Sequence, residues 1–168
     1  MKITIIASIA MNGIIGIDNC LPWNIPEEVR FFREKTMNKP VVIGRKTFEC
    51  LDFPMKNRKN VVLTRSDTWN HVECIVVKSV QQVMDEFKNE NEIVVVGGQE
   101  MFQLFLEYAT DLCLSVIPEN YMGDVMFPYV NWTDWELVNS AKHHNKENVM
   151  VFEVRKYKRK EESACFIV

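Results

Sequence analysis

Glu28 is the residue of this chain whose setting best suits acid–base chemistry. It follows Pro26, which fits the first turn of a helix because a missing N–H costs nothing there. Residues three and four apart share a helix face, so Glu28 would lie beside Phe31 and Phe32. In a ligand cleft such an acid has a raised pKa and can hold or supply a proton. Alternatively, Glu28 is a solvated first-turn acid favoured by the helix dipole, and this segment alone leaves both interpretations open.

Two segments in which an apolar strand runs through glycine into a helix could bind phosphate. They cover residues 41–47 and 94–100. Ligands bind beyond the carboxyl ends of parallel strands, where helix N-termini present free N–H groups. Arg45, Lys46 and Arg65 add positive charge nearby, which suits a dinucleotide carrying an extra phosphate. The G-x-G-x-x-G pattern is missing, so glycines that only form turns, with solvated arginines, remain the alternative.

The elements that would position these residues alternate between strands and helices. We predict strands at residues 2–9, 40–43, 60–64, 73–77, 92–96 and 112–117, and helices from residue 26 to before 40, from about 45 to 51, at 80–87 and at 99–107. Two alternating segments, 135–141 and 149–155, predict a terminal antiparallel hairpin. The predicted fold is α/β, with about eight mostly parallel strands, an antiparallel C-terminal hairpin strand and about four flanking helices.

Composition limits the class of protein. The chain has 168 residues, 47% hydrophobic and 26% charged, which predicts one compact domain. Its net charge of −3 argues against nucleic-acid binding. We expect a cytoplasmic protein without membrane contact, because no apolar run has the length of a span and the start lacks a signal-peptide cleavage region. A monomer is expected as well.

The cysteines are predicted to be reduced. Five cysteines without C-x-x-C spacing argue against a disulfide framework and against a zinc site, and no metal is expected. Cys50, Cys74 and Cys113 are interpreted as small buried residues.

Taken in order, these segments resemble dihydrofolate reductase over residues 1–156. The matching residues are Gly16, Leu21, Pro22, Trp23, Asn24, Glu28, Phe32, the run 42–49, Pro54, Arg58, Lys59, Asn60, the run 96–98, Gly123, Asp124, Phe127 and Pro128. The resemblance implies NADPH-dependent reduction of 7,8-dihydrofolate to 5,6,7,8-tetrahydrofolate, with hydride transfer to C6 and protonation at N5, for one-carbon and thymidylate metabolism. It also implies a dihydrofolate-reductase-like fold and small-molecule partners, namely folates and antifolates such as trimethoprim.

The resemblance assigns roles at the folate end of the site. Glu28 would hydrogen-bond the pterin and favour protonation at N5, and Trp23 would hold a water nearby through its indole N–H. Ser115, where the family usually has threonine, would bridge to this acid, and Arg58 would bind the folate α-carboxylate. The expected catalytic residues are Glu28, Trp23, Leu21 and Ser115, and the expected substrate-binding residues are Ile6, Ala7, Glu28, Val29, Phe32, Leu51, Arg58, Val96 and Ser115.

The resemblance also implies an NADPH site, with a cis peptide bond between the paired glycines. The expected cofactor-binding residues are Ala7, Ile15, Gly16, Asn19, Gly44, Arg45, Lys46, Thr47, Leu63, Thr64, Arg65, Lys78, Val96, Gly97, Gly98, Gln99, Glu100, Met101 and Phe102, the last in place of a common tyrosine. Residues 13–24 would form a loop that closes over the nicotinamide, and Asp124 would hydrogen-bond near Gly16 to set the closed state.

Two other functions stay open at this point. One is another NADPH-dependent reductase on the same fold, such as the ribosylamino-pyrimidine reductase of riboflavin synthesis, against which Glu28 and Arg58 argue. The other is a catalytically silent nucleotide-binding relative. Residues 157–168 are predicted to be a flexible extension, and the prenylation-like spacing after Cys165 is interpreted as chance.

Overall fold

A central eight-stranded sheet organises the computed structural model, which describes residues 1–18, 20–51 and 54–161. The strands are β1 (Lys2–Ala10), β2 (Ile14–Gly16), β3 (Pro40–Gly44), β4 (Lys59–Leu63), β5 (Cys74–Val77), β6 (Glu92–Gly97), β7 (Asp111–Ile117), β8 (Val125–Met126), β9 (Trp135–His144) and β10 (Met150–Arg159). The helices are α1 (Pro26–Thr36), α2 (Arg45–Glu49), α3 (Val80–Glu86) and α4 (Gln99–Phe105), with a 3₁₀ turn at Trp132–Asp134.

The strand order of the large sheet is β5-β4-β3-β6-β1-β7-β10-β9. Neighbours from β5 to β7 are parallel, and β10 is antiparallel to both β7 and β9. Because a parallel sheet is covered on both faces, its strands are continuous apolar runs such as Val41-Val42-Ile43. The predicted α/β fold, with its mostly parallel sheet and antiparallel terminal hairpin, is confirmed.

The two faces of the sheet pack separate apolar clusters. Successive residues of β1 point to opposite faces, so Ile5 joins one cluster and Ile6 the other. The cluster around Ile5 includes Val83 of α3 and Phe105 of α4, and the cluster around Ile6 includes Phe31 of α1. Within the described residues, no helix is both long and apolar enough to cross a lipid bilayer.

A second, two-stranded sheet was not predicted. β2 pairs with β8 through Ile14 and Met126, and both strands are too short to show a periodic pattern in the sequence. The Asp124 N–H donates to the Gly16 carbonyl at 3.1 Å, and a Cβ on Gly123 would lie 2.5 Å from that oxygen. The small sheet therefore holds one end of the loop that follows β2.

The C-terminal strand runs past the predicted domain boundary. β10 continues through Arg159, so the boundary after Lys156 falls inside a paired strand. The Arg159 guanidinium donates to the carbonyls of Leu106, at 2.5 Å, and Ala109, at 2.8 Å, and lies over the Trp135 ring. Residues 162–168, with Cys165, lie outside the described residues.

The prediction of reduced thiols is wrong for Cys20 and Cys50, which form a disulfide. They lie 30 residues apart in sequence, but the fold brings the loop after β2 against the end of α2, with a Cα–Cα distance of 6.2 Å. Sequence spacing shows no such proximity. Cys74, which is half-buried, and Cys113, which is buried, are free thiols.

Candidate active site

A cleft of about 1720 Å³ runs across the sheet where β3, β4 and β6 end, as expected for a ligand site in a parallel sheet. Most of the predicted site residues line it: Ile6, Ala7, Ile15, Gly16, Leu21, Glu28, Val29, Phe32, Gly44, Arg45, Lys46, Thr47, Leu51, Arg58, Leu63, Thr64, Arg65, Lys78, Val96, Gly97, Gly98, Gln99, Glu100, Met101 and Phe102. Trp23, Ser115 and Asp124 are not in its lining. Asn19 lies outside the described residues.

Glu28 is a buried acid at one side of this cleft. It occupies the first turn of α1, which begins at Pro26, and only 5% of its surface is exposed. Burial raises the pKa of Glu28 to about 7, and the nearby polar side chain of Ser115 lowers it in part. The Ser115 hydroxyl is itself buried, and among the described residues it makes no hydrogen bond of ordinary distance and angle. The interpretation of Glu28 as a solvated helix-start acid is therefore wrong.

Ser8 is a cleft residue that sequence reasoning missed. The Trp23 indole N–H donates to the Ser8 hydroxyl at 3.1 Å, and Ser8 lines the cleft that also contains Glu28. The indole N–H predicted to hold a water near Glu28 thus has a protein acceptor in this structure. The available signal was a serine between apolar residues of β1, a position that the sequence alone does not distinguish from ordinary core.

Arg58 lies in the lining of the cleft with no carboxylate partner among the described residues. Its guanidinium donates to the carbonyls of Lys56, at 3.1 Å, and Arg33, at 3.3 Å. Its Nε is buried and unpaired, and burial together with the nearby Arg33 lowers the pKa of Arg58. Backbone carbonyls thus orient a cation that can still bind an anion, which suits a ligand carboxylate.

Basic side chains line another part of the cleft. Arg45 pairs with Glu49 at 3.2 Å, and Arg65, whose side chain is 90% exposed, lies 3.5 Å from Glu100. Lys46 and Lys78 line the same region, and the Lys78 ammonium donates to the Ser66 carbonyl. Positive side chains gathered at one place in a protein of net charge −3 suit a ligand with several phosphates.

The starts of α2 and α4 meet beside these cations. The Gly97–Gly98 peptide bond is cis, and Gly97 has a φ of +127°, in the region that favours glycine. A Cβ on Gly98 would lie 2.7 Å from Thr47 Oγ1, closer than such atoms approach in proteins. Glycine therefore permits a close backbone approach at the point where the predicted cofactor residues converge.

Comparison with known proteins covers nearly the whole chain. A sequence model of the family "Dihydrofolate reductase" matches residues 2–159. The chain is 36% identical over 137 residues to a dihydrofolate reductase of Haemophilus influenzae, covering 82% of this chain and 85% of that protein. It is 33% identical to a dihydrofolate reductase of Bacillus subtilis, covering 96% of each.

A solved structure is similar as well. It is a dihydrofolate reductase of Enterococcus faecalis complexed with NADP(H) and RAB-propyl, at a TM-score of 0.88 and 29% identity, with 95% of this chain and 97% of that chain covered.

Proposed function

The chain belongs to the dihydrofolate reductase family, and we propose that the cleft described above is the active site in which it works. The protein is an NADPH-dependent oxidoreductase that reduces 7,8-dihydrofolate to 5,6,7,8-tetrahydrofolate. The observation that carries the site assignment is Glu28, a buried acid with a pKa of about 7 in a cleft that also contains Arg58, a cation with no carboxylate partner among the described residues. A proton-holding group and an anion-binding group in one apolar cleft are what this reaction and substrate require.

At the cofactor side, we assign phosphate binding to Arg45, Lys46, Arg65 and Lys78. The residues present fit the group, because cations and the close approach at Gly98 provide charge and space for a phosphorylated dinucleotide. Bound NADPH supplies the hydride that reaches C6 of the substrate. The protein's part is to orient the two ligands face to face and to exclude water around them.

At the substrate side, apolar side chains accept the flat rings of the folate. Val29 is 37% exposed and Leu51 is 38% exposed, because both line the open cleft. Ile6 and Phe32 line it as well. Covering such apolar surface favours binding of an aromatic ligand. Arg58, which lines the cleft, would bind the α-carboxylate of the folate through its guanidinium.

Glu28 would promote the protonation of N5 of the substrate. With a pKa of about 7, roughly half of the molecules carry a proton on this acid at neutral pH. Held against the pterin, Glu28 would hydrogen-bond its amino group and ring nitrogen and raise the basicity of N5. Ser115 would act as a positioning residue, because its buried hydroxyl lies close enough to Glu28 to affect the pKa of that acid and could donate to the carboxylate.

We also propose that the enzyme is a monomer and that it acts in the cytoplasm on small-molecule ligands. Sedimentation at micromolar concentration should give a mass near 19.7 kDa, and a mass of twice that value would contradict the monomer.

The test of function is NADPH oxidation at about 340 nm, with and without dihydrofolate. Wild-type protein should consume NADPH only when dihydrofolate is present, with tetrahydrofolate formed in equal amount. The matched control is the ribosylamino-pyrimidine substrate of riboflavin synthesis, which should not be turned over. Faster turnover of that substrate than of dihydrofolate, or NADPH binding without any turnover, would contradict the proposal.

A further inference from the structure

The Cys20–Cys50 bond joins two segments that both line the cleft. Cys20 belongs to the loop between β2 and α1, and Cys50 directly follows α2. Both cysteines line the cleft, as do Leu21 and Leu51 beside them. The bond therefore lies at the cleft itself, and it joins the loop to the helix that carries Arg45 and Thr47.

This bond is the direct tie between the two segments. Among the described residues, no hydrogen bond or ion pair joins residues 17–24 to α2. Cys20 and Ile17 exchange two backbone hydrogen bonds, each of 2.9 Å, so tethering Cys20 also holds Ile17 and, next to it, Gly16 of β2. Breaking the disulfide would release the loop from α2 while β2 stays paired with β8.

The disulfide is also open to reagents. Cys20 is exposed and Cys50 is partly exposed, whereas the free thiol of Cys113 is buried. Reduction of an accessible disulfide proceeds by thiolate attack on one sulfur. Disulfides in reducing compartments are usually transient and redox-sensing, so the cytoplasm we assign to this enzyme would not maintain this one permanently.

We propose that Cys20 and Cys50 are a reversible thiol–disulfide pair that fastens the loop to α2 and slows the exchange of ligands in the cleft. On reduction, two molecules of a small thiol give up two electrons and two protons, the S–S bond breaks, and Cys20 and Cys50 become thiols. The small thiol is converted to its disulfide. Oxidation runs in reverse, with a low-molecular-weight disulfide such as oxidised glutathione accepting the electrons.

The consequence for ligands rests on the proposed function, because it requires NADPH to bind in this cleft. While the disulfide is intact, the Cα atoms of Cys20 and Cys50 stay 6.2 Å apart. The loop therefore cannot move away from α2. Entry and exit of NADPH are then both slowed, with less change in the dissociation constant. In the dithiol form the loop can open and close between turnovers.

The experiment compares the full chain oxidised with glutathione disulfide and reduced with dithiothreitol. Alkylation followed by intact-mass analysis should show two more reactive thiols after reduction. Stopped-flow fluorescence should show NADPH association and dissociation about tenfold slower in the oxidised form. Cys50→Ser and Cys20→Ser should each behave as the reduced protein under both conditions, whereas the matched control Cys74→Ser should keep the redox response.

Equal NADPH rates in the two forms, or an unchanged thiol count, would overturn the proposal. Hydrogen exchange provides a readout that needs no ligand: backbone amides of residues 20–24 should exchange more slowly in the oxidised protein, and equal exchange would also overturn it. Failure of NADPH to bind in either form would instead contradict the proposed function, while the exchange measurement would still decide the redox pair.

Discussion

The main energetic cost in this site is the desolvation of one carboxyl group, that of Glu28. Glu28 is 5% exposed, and no cation forms an ion pair with it among the described residues. Desolvation has a larger effect on its pKa than the neighbouring Ser115, so burial favours the protonated acid. Such an acid destabilises the folded protein when ionised but is chemically useful, because it can hold a proton near neutral pH.

The first prediction concerns activity. Glu28 carries a proton below pH 7 and loses it above, so the rate of hydride transfer should fall as pH rises through about 7. Glu28→Gln should lower the single-turnover rate at neutral pH by roughly a hundredfold, with partial recovery at low pH, where solvent protonates the substrate. Its NADPH dissociation constant should be unchanged. A variant that retains the wild-type rate and pH profile would remove Glu28 from the proton chemistry.

The second prediction concerns stability and pH. The pKa of Glu28 is raised from 4.5 to about 7 on folding, so its stabilising contribution is full below pH 4.5 and is lost as pH rises through 7. The unfolding free energy of wild type relative to Glu28→Gln should therefore fall by about 3 kcal/mol across this range. Urea denaturation of both proteins at several pH values measures it. Parallel curves would mean that Glu28 titrates normally.

The third prediction concerns the Ser8–Trp23 hydrogen bond. Ser8→Ala would leave the buried indole N–H without its acceptor, at a cost of about 1–3 kcal/mol of unfolding free energy. In a Trp23→Phe background no donor remains, so the added effect of Ser8→Ala should be small. Chemical denaturation of the four proteins in a double-mutant cycle gives the coupling. Additive effects would show that the hydrogen bond contributes nothing to stability.

The cofactor side of the site forms where the ends of two strands and the starts of two helices meet. β3 leads into α2 and β6 leads into α4, and the two helix starts come together where Gly98 faces Thr47. Neither junction alone identifies a phosphate site, since glycine and arginine at a strand end are common. Their adjacency in the sheet, where β3 pairs with β6, turns two weak patterns into one cleft.

The fourth prediction tests this meeting point. Gly98→Ala would place a Cβ 2.7 Å from Thr47 Oγ1, so either the Thr47 side chain or the starts of α2 and α4 must move. The NADPH dissociation constant should rise by about tenfold or more, while dihydrofolate binding changes little. Gly44→Ala is the matched control, because its Cβ would meet Met101 at 3.4 Å and should weaken NADPH binding less. Isothermal titration with each ligand measures both, and equal losses in the two variants would contradict the argument.

At the scale of the whole molecule, the antiparallel strand β10 closes the fold. It pairs with β7 and β9 along its length, and Phe152 and Val154 within it are buried in the apolar cluster around Ile6. Arg159, near its end, is bonded to carbonyls at the end of α4. The terminal strand therefore belongs to the domain that holds the cleft, including residues placed in the extension by sequence.

The fifth prediction tests that boundary. A chain ending at Lys156 should be less stable than one ending at Glu161 by several kcal/mol, on the order of 3, because it loses pairing of β10 and the Arg159 hydrogen bonds. Thermal and urea denaturation of the two truncated chains compares them directly. Equal stability would place the domain boundary at residue 156 after all.

Local patterns in the chain were sufficient for the strands of the large sheet and for its helices, whereas most of the cleft lining was predicted from the resemblance to dihydrofolate reductase. Each of these signals is contained within a few consecutive residues. Examples are the apolar run of β1, Pro26 at the start of α1, and the glycines at the ends of β3 and β6. Their preferences are short-range, because backbone geometry and alternating burial act between near neighbours. The short pairing of β2 with β8 shows no such pattern and was missed.

Other features depend on groups that only folding brings together. The burial of Glu28 beside Ser115, the hydrogen bond from Trp23 to Ser8, and the disulfide of Cys20 with Cys50 each join separate segments of the chain. No local pattern contains these pairs, since desolvation, hydrogen bonding and thiol proximity depend on distance in space. The sequence alone thus determined the class of sheet and the acidic and basic side chains available for chemistry. Packing determined the protonation of Glu28 and the disulfide between Cys20 and Cys50.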